Sequence, residues 1–150
     1  MQYRVRNGTA LIATTSSKSY TVTGLSPNTA YTLSVTAYNG LRESEAKSIS
    51  VLTRGIRIRV PTTLTVGSTA NVTYLEYPLG IVPIGTEPSG FFGGGNRQTL
   101  PVKVVSVSNG ISTLEITSKF SNFSDNQLMR RLDDGSFGAF DGVKAIYFKN

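Results

Sequence analysis

Leu25-Ser-Pro-Asn-Thr-Ala-Tyr31-Thr-Leu-Ser-Val35-Thr-Ala-Tyr-Asn-Gly40 is the stretch that decides the fold. It opens on a turn, because Pro27 restricts φ and Asn28 tolerates unusual backbone angles. Tyr31, Leu33, Val35 and Ala37 then recur at every second position. That period places them on one face of an extended strand. Asn39-Gly40 closes the run with two residues that accept positive φ. A turn, a long alternating strand and a second turn predict β structure with one apolar face.

The same period extends outward on both sides. Tyr3 and Val5 predict a first short strand, Asn7-Gly8 a turn, and residues 9–15 a second strand. Tyr20, Val22 and Gly24 alternate and predict a third. Beyond Gly40, Ile49 and Val51 lie two apart in a strand that ends near Thr53.

Leu25-x-Pro27-x-Thr29-x-Tyr31, followed by Val35-x-Ala37-x-Asn39-Gly40, resembles the E–F region of fibronectin type III domains. Ser48-Ile-Ser-Val-Leu-Thr53 resembles their strand G. The resemblance implies a β-sandwich. It also implies that Leu25, Pro27 and Tyr31 form a structural corner, in which the tyrosine hydroxyl reaches back to nearby backbone. The sequence departs from the family before Tyr20. That stretch has room for strands C and C′ but not for A and B, and the family's strand-B tryptophan has no counterpart. An incomplete sandwich exposes an apolar sheet face, at about 25 cal/mol per Å² of apolar area, and leaves edges unpaired. Residues 56–150, a neighbouring subunit or the rest of a longer chain are the candidate covers.

The division is expected at Arg54-Gly55, giving a fibronectin type III-like module over 1–54 and a second small β domain over 55–150. In the second part Ile56, Ile58 and Val60 alternate with Arg57 and Arg59, so the two arginines share a strand face. Leu64 to Tyr74 reads as strand, turn and strand, and faintly resembles bacterial immunoglobulin-like modules. Residues 78–99 change character, with Pro78, Pro83, Pro88 and the Gly93-Gly94-Gly95 run, and predict a long Gly/Pro loop. Val102, Val104 and Val107, then Asn109-Gly110, then Ile111, Leu114 and Ile116 predict a hairpin. Residues 126–132 are expected to form one or two helical turns, Asp133-Asp134-Gly135 a turn, and residues 145–149 a closing strand.

Composition narrows the chemistry. The 150 residues contain no cysteine and no histidine. A disulfide framework, a thiolate metal site and a histidine general base are therefore excluded. The glycine-rich Gly90–Arg97 lacks the Gly-Lys-Ser/Thr of a phosphate loop. Asp133 and Asp134 sit in a turn signal rather than across a cleft, and no Gly-x-Ser-x-Gly elbow occurs. Neither catalytic residues, metal ligands nor a cofactor are expected, and the chain reads as non-enzymatic. No apolar run approaches the ~18 residues of a membrane helix, and MQYRVRNGTA has no signal-peptide core.

The formal charge is +6. Residues 1–55 carry six basic and two acidic side chains, and residues 56–150 nine and seven. Arg4 and Arg6 share a strand face, as do Arg57 and Arg59. Such pairs either dock on an acidic surface or guard an edge strand. Nucleic-acid readers usually add stacking aromatics beside the cations, and with only Tyr3 and Tyr20 as candidates nucleic acid is not expected. Phe91, Phe92, Arg97, Arg57 and Arg59 are the candidate partner-binding residues, the phenylalanines as anchors of an arm that orders against a partner.

Fibronectin-like and immunoglobulin-like modules are common appendages of phage structural proteins, an analogy at the level of fold. The resemblance implies a non-enzymatic structural or adhesive virion protein of a tailed phage, in the tail, baseplate, neck or capsid decoration. It would be assembled in the host cytoplasm and would contact other virion subunits, its own copies and a host-surface glycan, but not nucleic acid or membrane. The alternative is a carbohydrate-binding accessory module of a secreted enzyme or a bacterial surface adhesin, at the cell surface or outside the cell.

Overall fold

Alternation at period two becomes a strand only where a neighbour takes up the backbone hydrogen bonds. The computed structural model, which describes residues 1–76, 96–141 and 143–150, shows where neighbours exist. The described residues contain strands, turns and bends but no helix. The chain is all-β, with two sheets and two compact units, Met1–Arg54 and Gly55–Asn150.

The first unit contains β1 (Gln2–Asn7), β2 (Ala10–Thr15), β3 (Ala30–Tyr38) and β4 (Lys47–Leu52). They form one antiparallel sheet in the order β2-β1-β3-β4. Asn7-Gly8 makes the predicted turn, with Gly8 at φ +58°. Tyr31 Oη accepts a hydrogen bond from the Ser26 amide at 2.9 Å. Asn28 takes φ +44°, and Thr29 Oγ1 donates to the Pro27 carbonyl at 2.8 Å. Thr53 ties the far end of the sheet to this corner, its hydroxyl donating to the Ser26 carbonyl at 2.6 Å. Tyr31→Phe removes the acceptor of the Ser26 amide. It is expected to cost about 1 kcal/mol, seen as a lower urea midpoint at unchanged slope.

Tyr20–Gly24, expected as a strand, is not one. In immunoglobulin-type sandwiches the strand before the corner lies in the sheet that also holds A and B. Among the described residues the segment pairs with no other strand, and Gly24 at φ +73° leaves the extended region.

The second unit contains β5 (Arg57–Val60), β6 (Thr69–Glu76), β7 (Asn96–Ser108), β8 (Ile111–Ile116), β9 (Gln127–Leu128), β10 (Arg130–Arg131), β11 (Phe137–Asp141) and β12 (Lys144–Phe148). Their order in the sheet is β10-β11-β12-β6-β7-β8-β5-β9. All pairs are antiparallel except β5 with β9. Only Met129 separates β9 from β10, yet these are the two ends of the sheet. Seven strand spacings in a flat sheet would part the ends by about 34 Å, whereas two Cα–Cα steps span at most about 7 Å. The sheet therefore rolls over on itself. Ile58, Val60, Tyr74, Val102, Leu114 and Ile116 fill the enclosed core and are fully buried.

The Asn109-Gly110 hairpin forms as predicted, with φ +51° and +74° at its two turn residues. Three expectations are corrected. Residues 126–132 make β9 and β10 instead of helical turns. Asn126 sits at φ +60°, outside helical space. The amides of Asn126 and Met129 donate to the carbonyls of Arg57 and Arg59 at 2.8 and 2.7 Å, so tertiary pairing overrides local propensity. Leu64–Val66 is no strand. It is held by buried Ser112, whose hydroxyl donates to the Thr62 carbonyl (2.7 Å) and accepts from the Leu64 amide (2.9 Å). The Gly/Pro loop expected over 78–99 ends sooner, because Asn96–Thr99 already pair with Thr73–Glu76 in β7. The rest of that loop, including Phe91 and Phe92, lies outside the described residues.

Candidate functional site

The two faces of the four-stranded sheet differ chemically. On one, Arg4 and Arg6 of β1 converge on Glu43, which follows the Asn39-Gly40 turn. Arg4 contacts its carboxylate directly, and Arg6 lies 3.0 Å from it. Buried Thr36 donates to it at 2.9 Å. The Arg4 guanidinium also stacks over the Tyr38 ring at 3.7 Å. These contacts pin residues 39–45 to the sheet, assisted by the Ser44 amide donating to the Ala37 carbonyl at 2.8 Å. Hydrogen bonds from Arg6, then Arg4, then Thr36 hold the Glu43 carboxyl at about 2, far below the ordinary 4.5.

A carboxyl whose folded pKa is depressed stabilises the fold above its unfolded value and loses that contribution as pH falls through the folded one. The contribution of Glu43 is therefore expected to be intact above pH 4.5 and lost toward pH 2. An NMR titration of the Glu43 side chain is expected to show its midpoint near 2, and a midpoint near 4.5 would contradict the arrangement. Glu43→Gln is expected to flatten the pH dependence of the first unit's melting over the same window.

The opposite face is apolar and open. Tyr3 and Val5 of β1, Leu33 and Val35 of β3 and Ile49 of β4 form its floor. Residues 17–22 run over it as a wall, enclosing a groove of about 530 Å³. Val35 remains 39% exposed, Tyr20 48% and Ile49 62%, far from what a covered sheet face shows. Lys18 and Lys47 stand on the lining, which contains no carboxylate.

The arginines singled out in the sequence have local partners. Neither pair guards an edge, since β1 lies between β2 and β3, and β5 between β8 and β9. Arg57 Nε donates to Glu115 at 2.8 Å, its directly opposite neighbour on β8. Arg59 Nε donates to the Asn126 carbonyl at 3.0 Å. Arg97 lies in β7, opposite Leu75 of β6. Arg57 and Arg59 thus share a face of one strand, and Arg97 stands on another strand of the same sheet.

The aspartates are likewise engaged one at a time. Asp125 accepts from the Arg57 amide, Asp134 from the Ser136 amide, and Asp141 from the Ser124 amide. Ser136 lowers the pKa of Asp134, as expected for a turn-forming carboxylate. Buried Tyr74 has its hydroxyl pushed up to about 12 by burial and by Glu76, to which it donates at 3.1 Å. Among the described residues no group of three or more acidic side chains is placed to hold a metal ion. The open groove was only half legible in the sequence. The missing strands pointed to an uncovered face, but the wall of residues 17–22 carries no motif.

An all-β chain with a rolled eight-stranded sheet and a separate four-stranded sheet belongs to the class of immunoglobulin-like and fibronectin-like structural modules. More narrowly, the chain belongs to the family of baseplate upper protein immunoglobulin-like domains, whose family model matches residues 48–150. Residues 1–51 match the fibronectin type III domain. No curated protein and no solved structure matches the chain significantly. The two family matches overlap in β4, which pairs with β3 and so belongs physically to the first unit. Membership places the chain among phage tail and baseplate structural proteins, which associate with other virion components, and both matched families are structural rather than enzymatic.

Proposed function

We infer that this chain is a non-enzymatic docking subunit of a tailed-phage baseplate, joined to neighbouring subunits through the open face of its first unit. The observation that carries the reading is the exposure of Val35, on an inner strand, and of Ile49, on the edge strand beside it, on one apolar sheet face. Exposed apolar patches of this kind mark interaction sites. Arg57, Arg59 and Arg97 are proposed as further contacts on the second unit, and the Phe91-Phe92 pair joins them on sequence grounds. The two compact units are proposed as the two domains. Assembly is proposed to occur in the host cytoplasm, with the chain retained in the virion.

Cross-linking mass spectrometry of purified virions tests this reading. Lys18 and Lys47, at the groove, are expected to cross-link to another baseplate subunit. Virions that lack the chain, or in which both lysines react only within it, would sink the proposal. A glycan array tests the adhesive alternative, favoured by the half-exposed Tyr20 at the groove. Binding that disappears in Tyr20→Ala would support it.

A further inference from the structure

The chain contains three Asn-Gly pairs, Asn7-Gly8, Asn39-Gly40 and Asn109-Gly110. Each can react with itself, because glycine has no side chain to shield its amide nitrogen. The nitrogen attacks Cγ of the preceding asparagine, and ammonia leaves. The fold treats the three pairs differently. Asn7 ends β1 and is paired with Ala10 and with Leu33 on its two sides. The Gly8 amide donates to the Thr32 carbonyl at 2.9 Å, so the nucleophile is engaged. Asn109 and Gly110 sit at φ +51° and +74° between paired Ser108 and Ile111. A tight turn closed by two strands resists the backbone rotation that ring formation requires.

Asn39 is exposed and lies outside the strands. Its Oδ1 accepts hydrogen bonds from the Leu41 amide at 3.0 Å and the Arg42 amide at 2.8 Å. These donors polarise the side-chain carbonyl. They also face the oxygen on which negative charge develops during attack, as donors of an oxyanion site do. The Tyr38 hydroxyl donates to the Gly40 carbonyl at 2.7 Å. Among the described residues the Gly40 amide itself has no acceptor. Gly40 takes φ +100°, and nothing lies within 4 Å of where a Cβ would stand.

We propose that Asn39 is a self-modification site, which water converts to aspartate and isoaspartate through a cyclic imide with Gly40. Hydroxide removes the Gly40 amide proton, the Gly40 nitrogen bonds to Asn39 Cγ, and the Cγ–Nδ2 bond breaks with release of ammonia. Water then opens the ring. Cleavage of the new N–Cγ bond gives aspartate, and cleavage of the original peptide bond gives isoaspartate. No oxidation or reduction occurs. Isoaspartate routes the main chain through the former side chain, which withdraws the acceptor from the Leu41 and Arg42 amides. The modification does not depend on the docking reading.

The test incubates the full chain in mildly alkaline buffer, folded and in urea, and follows each Asn-Gly pair by peptide mass spectrometry. In urea the three pairs are expected to react at similar rates. In the folded chain Asn39 is expected to react about tenfold or more faster than Asn7 and Asn109. Asn39→Gln is expected to abolish the mass gain in that loop and leave the other two pairs unchanged. In the isoaspartate form, hydrogen exchange of the Leu41 and Arg42 amides is expected to rise about tenfold or more. A folded rate at Asn39 no higher than at Asn7 or Asn109 overturns the proposal. So does a rate at Asn39 that is lower folded than in urea, since the two donors would then lock the side chain instead of activating it.

Discussion

Gly55→Ala is expected to destabilise the second unit by about 3 kcal/mol or more, among the largest effects a single methyl group produces. A Cβ built on Gly55 would lie 1.9 Å from the Ile116 carbonyl oxygen and 3.1 Å from its carbon. Both are backbone atoms, so neither can move aside alone. The two chains must separate, and that breaks the hydrogen bond from the Ile116 amide to the Ile56 carbonyl, now 2.9 Å. It also shifts the register start of β5 against β8, on which the Arg57–Glu115 pair depends. The cause is steric rather than conformational, because Gly55 does not have positive φ. Gly8→Ala is the control. Its added Cβ meets nothing within 4 Å, but φ is +58°, so the cost is expected near 1 kcal/mol. Chemical denaturation of both variants decides the matter. Equal midpoints would contradict a backbone clash at Gly55.

Met129→Ala is expected to cost about 2–5 kcal/mol, the range for truncating a buried methionine. Met129 is 2% exposed and belongs to the main core. It is also the single residue between the two ends of the sheet, with its amide bound to the Arg59 carbonyl at 2.7 Å. Truncation therefore removes packing at the seam where the rolled sheet closes. Hydrogen exchange is expected to rise first in β9 and β10, while the β7–β8 hairpin stays protected. A loss of protection spread evenly over all eight strands would show that Met129 is ordinary core. Met129→Leu conserves volume and is expected to recover most of the stability.

Much of the fold was legible because it is written in local chemistry. The corner at Leu25, Pro27 and Tyr31 depends on a proline, a φ-tolerant asparagine and a tyrosine a few residues apart. The Asn109-Gly110 hairpin depends on two adjacent residues at positive φ. Neither needs a distant partner to be recognised. Residues 126–132 failed for the opposite reason. Leu128, Met129 and Leu132 have helical spacing, but Asn126 takes φ +60° and the amides of Asn126 and Met129 pair with the carbonyls of Arg57 and Arg59, far away in sequence. Tyr20–Gly24 failed in the same way, since alternation supplies a strand face but not a neighbour.

The candidate site divides along this line. The sequence by itself determined the β class, the apolar parity of Val5, Leu33, Val35 and Ile49, and the absence of cysteine and histidine chemistry. These follow from residue type and spacing alone. Only the tertiary structure decided that Arg4 and Arg6 share the Glu43 carboxylate, that Arg57 and Arg59 bind Glu115 and Asn126, and that residues 17–22 wall a groove on the first unit's sheet. Each of these pairings joins residues distant in sequence, except the short reach from 17–22 to its own sheet. Their formation depends on which strands find neighbours, and no local pattern encodes that.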